Sequence, residues 1–255
     1  MSRPVKVVTF DLWDTLILDD SDELERAAAG LRPKTEARLD LIATALDESG
    51  QQVAKDKLYT AARAVEVVGH WVWHQLHVNW SVRQRLEAVL TTLELSLSAE
   101  SLEKLVRAWE EMELEPMPAL VPGAKEVLGE LARSYSLAVV SDAIVSPGRV
   151  LRLMLDRYGL LDYFAAFSFS DEVGRSKPDR AMFAHIGEVL HEDLTTMVHV
   201  GDRQHNDILG AQRAGMRAVL FVGANERSLC DNSADAVCRS LSELPAVLAS
   251  LAGGA

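Results

Sequence analysis

The feature that most constrains this chain is an apolar run at residues 5–10, which stops on the carboxylate of Asp11. Such a run, rich in β-branched side chains, predicts a buried strand of a parallel sheet. In open parallel sheets, chemistry collects just beyond the carboxyl ends of the strands. Asp11 is therefore either the cap of a following helix, a common use of Asp, or a functional carboxylate.

From residue 121 onward, predicted strands alternate with predicted helices. The strands cover about 137–141, 167–169, 197–200 and 218–222, and the helices about 122–133, 147–158, 179–190, 206–214 and 241–251. This alternation predicts an α/β fold, a doubly wound, Rossmann-like parallel sheet with helices on both faces and right-handed crossovers.

Residues 23–115 contain no strand pattern. A long helical pattern covers residues 53–78, and Ser81 and Ser98 are N-cap candidates for two further helices. The acidic residues between 19 and 23 predict a solvated turn and a hinge. We therefore predict an α/β catalytic core at 1–18 and 119–255, and an inserted all-helical cap domain at 19–118.

Composition excludes several classes of partner. A formal charge of −12 argues against nucleic acid, because a phosphate backbone requires a basic face. No apolar run approaches the roughly 20 residues of a membrane span, so no membrane partner is expected. Cys230 and Cys238 lack metal or redox spacing and suit a reducing compartment. We expect a cytoplasmic protein, a monomer or a homodimer.

Chemistry-bearing residues collect at the predicted strand ends. Asp11, Ser141 and Asp202 each end a strand, Lys177 lies in a loop, and Asp207 follows Asp202 by five residues. A carboxylate nucleophile, a hydroxyl, a lysine and a second acidic pair together suit an anion and a divalent cation. A hard ion such as Mg²⁺ takes one or two carboxylates plus substrate oxygens and waters.

Four stretches carry a family resemblance, at residues 10–16, 139–142, 171–179 and 200–207. In these stretches the chain resembles the haloacid dehalogenase (HAD) superfamily of aspartate-nucleophile hydrolases, in the branch with a helical C1-type cap after the first motif. The similarity covers the first strand and nearly all of residues 121–222.

The resemblance implies a role for each matching residue. Asp11 is implied as the nucleophile, Ser141 and Lys177 as ligands of the transferring group, and Thr15 as the residue that orients the first loop. The implied cofactor is Mg²⁺, held by Asp11, Asp202 and Asp207 and by the backbone carbonyl of Trp13.

Trp13 is a departure from the family pattern. Phosphatases of the family usually carry a second Asp there as general acid and base, a role that typically contributes about 10²–10⁴-fold to the rate. Asp14 is a candidate substitute, although its side chain is expected to point elsewhere. An aromatic residue at this position is similar to the metal-independent 2-haloacid dehalogenases, but those enzymes carry Ser where this chain has Asp202.

The predicted cap helix presents a polar and aromatic stripe at helical spacing. Its members include Tyr59, Arg63, His70, Trp73 and His77. The stripe is either a wall of the closed active site, a dimer surface or a contact with another cap helix. His191, His199 and His205 are expected to be structural.

Three functions follow from these observations. The favoured one is a Mg²⁺-dependent phosphatase of a small phosphorylated metabolite, working through an aspartyl-phosphate on Asp11. The second is a dehalogenase-like hydrolase that acts at carbon without a metal. The third is a binding or regulatory protein that has lost turnover through Trp13.

Overall fold

The computed structural model describes residues 4–230 and 232–253. Its centre is a six-stranded sheet in the order β3-β2-β1-β4-β5-β6, and all five strand pairs are parallel. The strands are β1 (Val7–Phe10), β2 (Ser136–Ser141), β3 (Phe164–Phe169), β4 (Met197–Gly201), β5 (Arg217–Phe221) and β6 (Ala236–Cys238).

Eleven α-helices accompany the sheet in the described part of the chain. They are α1 (Asp22–Ala28), α2 (Lys34–Glu48), α3 (Lys55–Trp71), α4 (Val82–Leu93), α5 (Ala99–Glu110), α6 (Ala124–Leu131), α7 (Gly148–Arg157), α8 (Ser170–Val173), α9 (Arg180–Leu190), α10 (Gly210–Ala214) and α11 (Leu244–Gly253). The predicted Rossmann-like α/β fold is confirmed. None of these helices is long and apolar enough to cross a membrane, over the residues described.

Both faces of the sheet are covered, which explains why its central strands are apolar throughout. Val8 and Phe10 of β1 pack into a cluster with α6, α7 and α11, whereas Val7 packs on the opposite face with α9 and α10. Alternate side chains of a strand point to opposite faces, so a strand buried on both sides has no place for exposed polar residues.

Helices α1–α5, together called the helical insertion, lie between β1 and β2 in the chain. Helices α2–α5 enclose an apolar cluster of their own around Ile42, Leu86 and Leu105. The two chain segments that connect the insertion to the sheet run side by side: Leu18 N–H donates to Ala119 O at 2.8 Å, and Val121 N–H donates to Leu16 O at 2.9 Å. The bounds predicted for a separate cap domain stay a prediction.

The two helix N-caps predicted in the insertion, Ser81 and Ser98, are confirmed. Ser81 caps α4 in a capping box with Gln84, and the Ser98 side chain accepts a hydrogen bond from Ser101 N–H at 3.1 Å. The long helix is shorter than predicted, because α3 ends at Trp71 and continues as a π-helical turn, Val72–Leu76. His77 ends this turn in the left-handed region, at φ 51°.

The prediction of a solvated acidic turn at residues 19–23 was wrong in part. Asp22 begins α1 and is buried, and its carboxylate pairs with the buried ammonium of Lys34 at 2.8 Å. Lys34 also reaches Glu113 at 3.4 Å. A run of acidic residues predicts solvent exposure only when no cation distant in the sequence neutralises it. Here Lys34 of α2 is that cation.

Candidate active site

Three neighbouring strands bring the predicted site residues together. β1 lies between β2 and β4, so Asp11 after β1 lies between Ser141, the last residue of β2, and Asp202, which follows β4. Asp11 N–H continues the sheet pairing by donating to Val200 O at 2.9 Å. The sheet pairing thereby fixes the backbone position of Asp11.

Asp11, Asp202 and Asp207 form the carboxylate cluster. All three are buried, and each contributes an oxygen such that the three oxygens lie within 4.8 Å of one another. Gly201 makes this approach possible, because a Cβ there would lie 2.4 Å from Cγ of Asp207. Three buried carboxylates at this separation repel one another unless cations offset their charge.

Lys177 supplies part of that charge from the loop before α9. Its Nζ donates to Asp11 Oδ1 at 2.7 Å and to Asp207 Oδ1 at 2.6 Å. Burial disfavours the ammonium, yet Asp11, Asp207 and Asp142 together raise the pKa of Lys177 above its usual value. The charged Lys177 therefore bridges Asp11 and Asp207, two members of the carboxylate cluster.

Asp207 is held by further donors. His199 Nε2 lies 3.3 Å from Asp207 Oδ1, and His199 Nδ1 lies 2.8 Å from Thr9 Oγ1. Burial lowers the pKa of His199, so the neutral ring donates to Asp207 from Nε2 and accepts from Thr9. Burial alone would favour neutral Asp207, but Lys177 and His199 hold its pKa well below the usual range.

Asp202 has the opposite electrostatic environment. Burial and the charges of Asp207 and Asp11 raise its pKa to about 7. Asn225 Nδ2 donates to Asp202 Oδ2 at 3.3 Å. The other carboxylate oxygen of Asp202, Oδ1, is buried without a hydrogen-bond partner in the described residues. A buried polar atom normally has a partner, so this oxygen is available to bind a cation.

Two residues to which the sequence analysis gave no role lock the loop that carries Lys177. Asp142 Oδ1 accepts a hydrogen bond from Lys177 N–H at 2.9 Å, and Asn206 Nδ2 donates to Lys177 O at 3.3 Å. Burial raises the pKa of Asp142 to about 6, although the charge of Lys177 opposes this shift. Both residues adjoin predicted site residues in the chain, which was the signal available to find them.

Ser141 and Thr15 present hydroxyls that have no hydrogen-bond partner in the described part of the chain. Both side chains are fully buried, and neither Oγ of Ser141 nor Oγ1 of Thr15 makes a hydrogen bond to any residue that the structure describes. Unpartnered buried hydroxyls are uncommon and are suited to a bound group that brings its own oxygens.

The first loop separates Trp13 from Asp14. Trp13 lines a cavity of about 240 Å³ together with Asp11 and Lys177. The Asp14 carboxylate instead contacts Asn225 Nδ2 at 3.2 Å and also pairs with Arg227. Asp14 thus contacts the loop after β5 and is absent from the lining of this central cavity, as far as the described residues show.

The helical insertion forms the other side of the central cavity. Trp73 from the π-helical turn, Asp19 from the connecting segment and Glu113 after α5 all line it. Asp19 is exposed as a residue, yet partial desolvation of its carboxyl group and the neighbouring carboxylates of Asp20, Asp14 and Glu113 raise its pKa to about 6. Asp19 is therefore a carboxyl group of the cavity wall that is partly protonated near neutral pH.

The predicted polar stripe on the long helix does not reach the cavity as a unit. Tyr59 is 59% exposed, and Arg63 pairs with Glu66 at 2.9 Å on the solvent side of α3. His70 and His77 line a separate surface depression with His205. Only Trp73, among the stripe residues described, lines the cavity, because the helix changes to a π-turn after Trp71 and breaks the spacing on which the prediction depended.

Sequence comparison agrees with this geometry. Residues 5–215 match the family model described as haloacid dehalogenase-like hydrolase, and the chain belongs to that family. It is accordingly a hydrolase with the HAD fold.

Named relatives include phosphatases. Over 123 residues the chain is 36% identical to the ribulose-1,5-bisphosphate 5-phosphatase of Halopiger xanaduensis, a match that covers 48% of this chain and 49% of that protein. The chain thus spans about half the length of this curated relative. A phosphoglycolate phosphatase of Vibrio vulnificus is 26% identical over 245 residues, which is 95% of each chain.

A solved structure extends the likeness to the whole chain. The 2-haloacid dehalogenase from Pseudomonas syringae pv. Tomato DC3000 superposes with a TM-score of 0.64 at 26% identity, covering 96% of this chain and 98% of that one. The fold is therefore shared by enzymes named for two different reactions.

Proposed function

We propose that this hydrolase is a Mg²⁺-dependent phosphatase of a small phosphorylated metabolite, with Asp11 as the nucleophile. The observation that carries the proposal is the carboxylate cluster, in which Asp202 Oδ1 has no hydrogen-bond partner among the described residues. A metal-independent enzyme would gain nothing from a third buried carboxylate beside its nucleophile, since the repulsion destabilises the fold.

The donor set fits Mg²⁺. It consists of hard carboxylate oxygens from Asp11, Asp202 and Asp207, which this ion prefers to nitrogen or sulfur. The backbone carbonyl of Trp13 stays a predicted further ligand. When bound, such an ion offsets charge on phosphoryl oxygens.

The chain's own residues supply the remaining chemistry. Asp11 Oδ1 is held by Lys177, which leaves Oδ2 as the attacking oxygen. The ammonium of Lys177 lowers the repulsion between this anionic nucleophile and an anionic phosphoryl group. The unpartnered hydroxyls of Ser141 and Thr15 are suited to donate to the transferring group or to orient the first loop.

Because Trp13 replaces the usual acid–base Asp, the general acid must be another residue. Asp14 is a poor candidate, because Asn225 and Arg227 bind its carboxylate. Asp19 is a better one, since it lines the cavity with Asp11 and its raised pKa keeps a protonated fraction.

Asp202→Asn is expected to lower phosphatase activity by about 10²–10³-fold, because a metal contributes several kcal/mol of transition-state stabilisation. In metal-free buffer the same variant should unfold at a higher temperature, since it removes repulsion with Asp11 and Asp207. Steady-state rates and thermal unfolding in EDTA measure the two effects. Asp162→Asn is the matched control, because Asp162 is an exposed acid between α7 and β3 that does not line the central cavity, as far as the described residues show. A fully active Asp202→Asn enzyme would contradict the metal site.

Gly201→Ala should weaken Mg²⁺ binding by about 10–100-fold, the usual effect of disturbing support of a metal site. The new methyl group can be accommodated only if Asp207 moves. Calorimetric titration with Mg²⁺ measures the change, and Gly69→Ala is the control, because its Cβ would meet nothing closer than 3.7 Å. Wild-type affinity in Gly201→Ala would show that Asp207 does not support the ion.

The alternative is a dehalogenase-like function, which is favoured by Trp13 and by the resemblance to the Pseudomonas enzyme. One experiment separates it from the phosphatase function. Phosphate monoesters and 2-chloropropionate are each assayed with Mg²⁺ and with EDTA. The proposal predicts phosphate release that EDTA abolishes and no halide release. Halide release in EDTA would support attack at carbon, and binding of esters without turnover would support a regulatory protein.

A further inference from the structure

One cation that lines the central cavity forms no hydrogen bond or ion pair through its side chain in the described part of the chain. Arg203 follows Asp202 directly and lines the cavity with Asp11 and Lys177. Within residues 4–230 and 232–253 its guanidinium makes no hydrogen bond and no ion pair. Its backbone, by contrast, is fixed, because Arg203 N–H donates to Asp207 Oδ2 at 2.9 Å.

The carboxylates of Asp11, Asp202, Asp207 and Asp142 offset the charge of this side chain from a distance. Among the described residues, none of them accepts a hydrogen bond from the guanidinium. Lys177 instead occupies Asp11 and Asp207, and Asp202 is approached by Asn225 and by Arg227 at 3.7 Å. The N–H donors of the half-buried Arg203 guanidinium are therefore unused within the described residues, and a bound oxyanion would satisfy them.

An aromatic ring from the helical insertion holds the guanidinium. Cζ of Arg203 lies 5.8 Å from the ring centroid of Trp73, within the range of a cation–π contact. Trp73 itself lines the same cavity. The contact therefore joins the insertion to the sheet at the wall of the cavity that Asp11 also lines.

We propose that Arg203 binds a second anionic group of the substrate, a carboxylate or a second phosphate carried on the alcohol part of a small phosphate monoester. This inference rests on the proposed phosphatase function. A guanidinium presents paired donors that match either oxyanion, and a cavity of about 240 Å³ suits a metabolite of few carbons. Trp73 is the residue that positions Arg203.

Three esters built on one two-carbon scaffold test the proposal. 2-Hydroxyethyl phosphate carries a neutral hydroxyl, phosphoglycolate carries a carboxylate, and ethylene glycol bisphosphate carries a second phosphate. The wild-type enzyme should prefer one or both of the esters that carry a second anionic group, phosphoglycolate and ethylene glycol bisphosphate. The comparison between those two identifies which anion Arg203 accepts.

In Arg203→Gln, kcat/KM for the preferred anionic ester should fall by about 10–150-fold, the effect expected for a hydrogen bond to a charged group. The loss should lie mainly in KM, and 2-hydroxyethyl phosphate should change little. Arg203→Lys should give an intermediate value, and it replaces Arg203→Gln if thermal unfolding shows that the latter does not fold. Trp73→Leu should raise KM for the same ester while kcat is retained.

Arg63→Gln is the matched control. It removes the same charge, and Arg63 lies on the exposed side of the insertion. Equal losses for all three esters in Arg203→Gln would overturn the inference and make Arg203 a support of the carboxylate cluster. Wild-type enzyme without preference among the esters, yet active in Mg²⁺, would also overturn it and leave the phosphatase function standing. Hydrolysis of none of them would overturn both.

Discussion

Asp11→Asn is expected to abolish turnover, with a fall on the order of 10⁴-fold or more. The amide is nearly isosteric with the carboxylate and can still accept a hydrogen bond from Lys177, but it does not attack phosphorus at a useful rate. Fold and substrate binding should therefore be largely retained. Single-turnover kinetics, circular dichroism and calorimetric titration with the substrate measure the three properties.

Asp14→Asn is the control for that variant. It makes the same chemical change three residues away, at a carboxylate that contacts Asn225 and Arg227. We expect most of the activity to remain. Full activity in Asp11→Asn would refute every catalytic role given to the carboxylate cluster. Loss of activity in Asp14→Asn would instead indicate that Asp14 is a catalytic acid.

Lys177→Met should be the most destabilising single change at the site. It leaves Asp11 and Asp207 facing each other in a buried environment without the ammonium that now lies 2.7 Å and 2.6 Å from them. Removing one partner of a buried ion pair costs about 3–5 kcal/mol. Activity should also fall by about 10²–10³-fold, the usual cost of losing one donor to a reacting oxyanion.

Urea unfolding in EDTA measures the stability term. Lys125→Met is the comparison, because Lys125 is exposed and its one side-chain hydrogen bond in the described residues is a long one, of 3.5 Å, to Tyr158 O. That variant should lie within about 0.5 kcal/mol of the wild type. A loss below about 1 kcal/mol in Lys177→Met would mean that the buried charges of the site are not coupled as the distances indicate.

The sheet was predictable because its signals are local. Each central strand is an apolar run of few residues, and the polar residue that follows it marks the carboxyl edge. The edge strand β6 was not predicted, because three residues give too short a pattern and only its pairing with β5 defines it.

The site was predictable as a set of residues but not as a network. The strand ends indicated Asp11, Ser141 and Asp202. The bridge of Lys177 between Asp11 and Asp207 depends on the fold of a loop, and no spacing in the sequence encodes it. His199 illustrates the same limit, since its position within a strand suggested a structural residue while its ring contacts Asp207.

The insertion shows why periodicity fails at its ends. The 3.6-residue pattern predicted one wall from Tyr59 to His77, but the regular helix ends at Trp71 and a π-helical turn follows. Trp73 in that turn lines the cavity, whereas Tyr59 and Arg63 on the preceding helix are exposed. Arg203 was not singled out at all, since its cation–π partner lies in the insertion, about 130 residues away in the chain.

The most direct test of the central claim follows oxygen in water enriched with its heavy isotope. The enzyme turns over a phosphate monoester under single-turnover conditions, and mass spectrometry then compares the released phosphate with the peptide that contains Asp11. If water attacks phosphorus of an aspartyl-phosphate, the label enters phosphate and Asp11 stays unlabelled. Label in the Asp11 carboxylate would contradict the account, because it would mean that water attacks the carbon of an ester formed on Asp11.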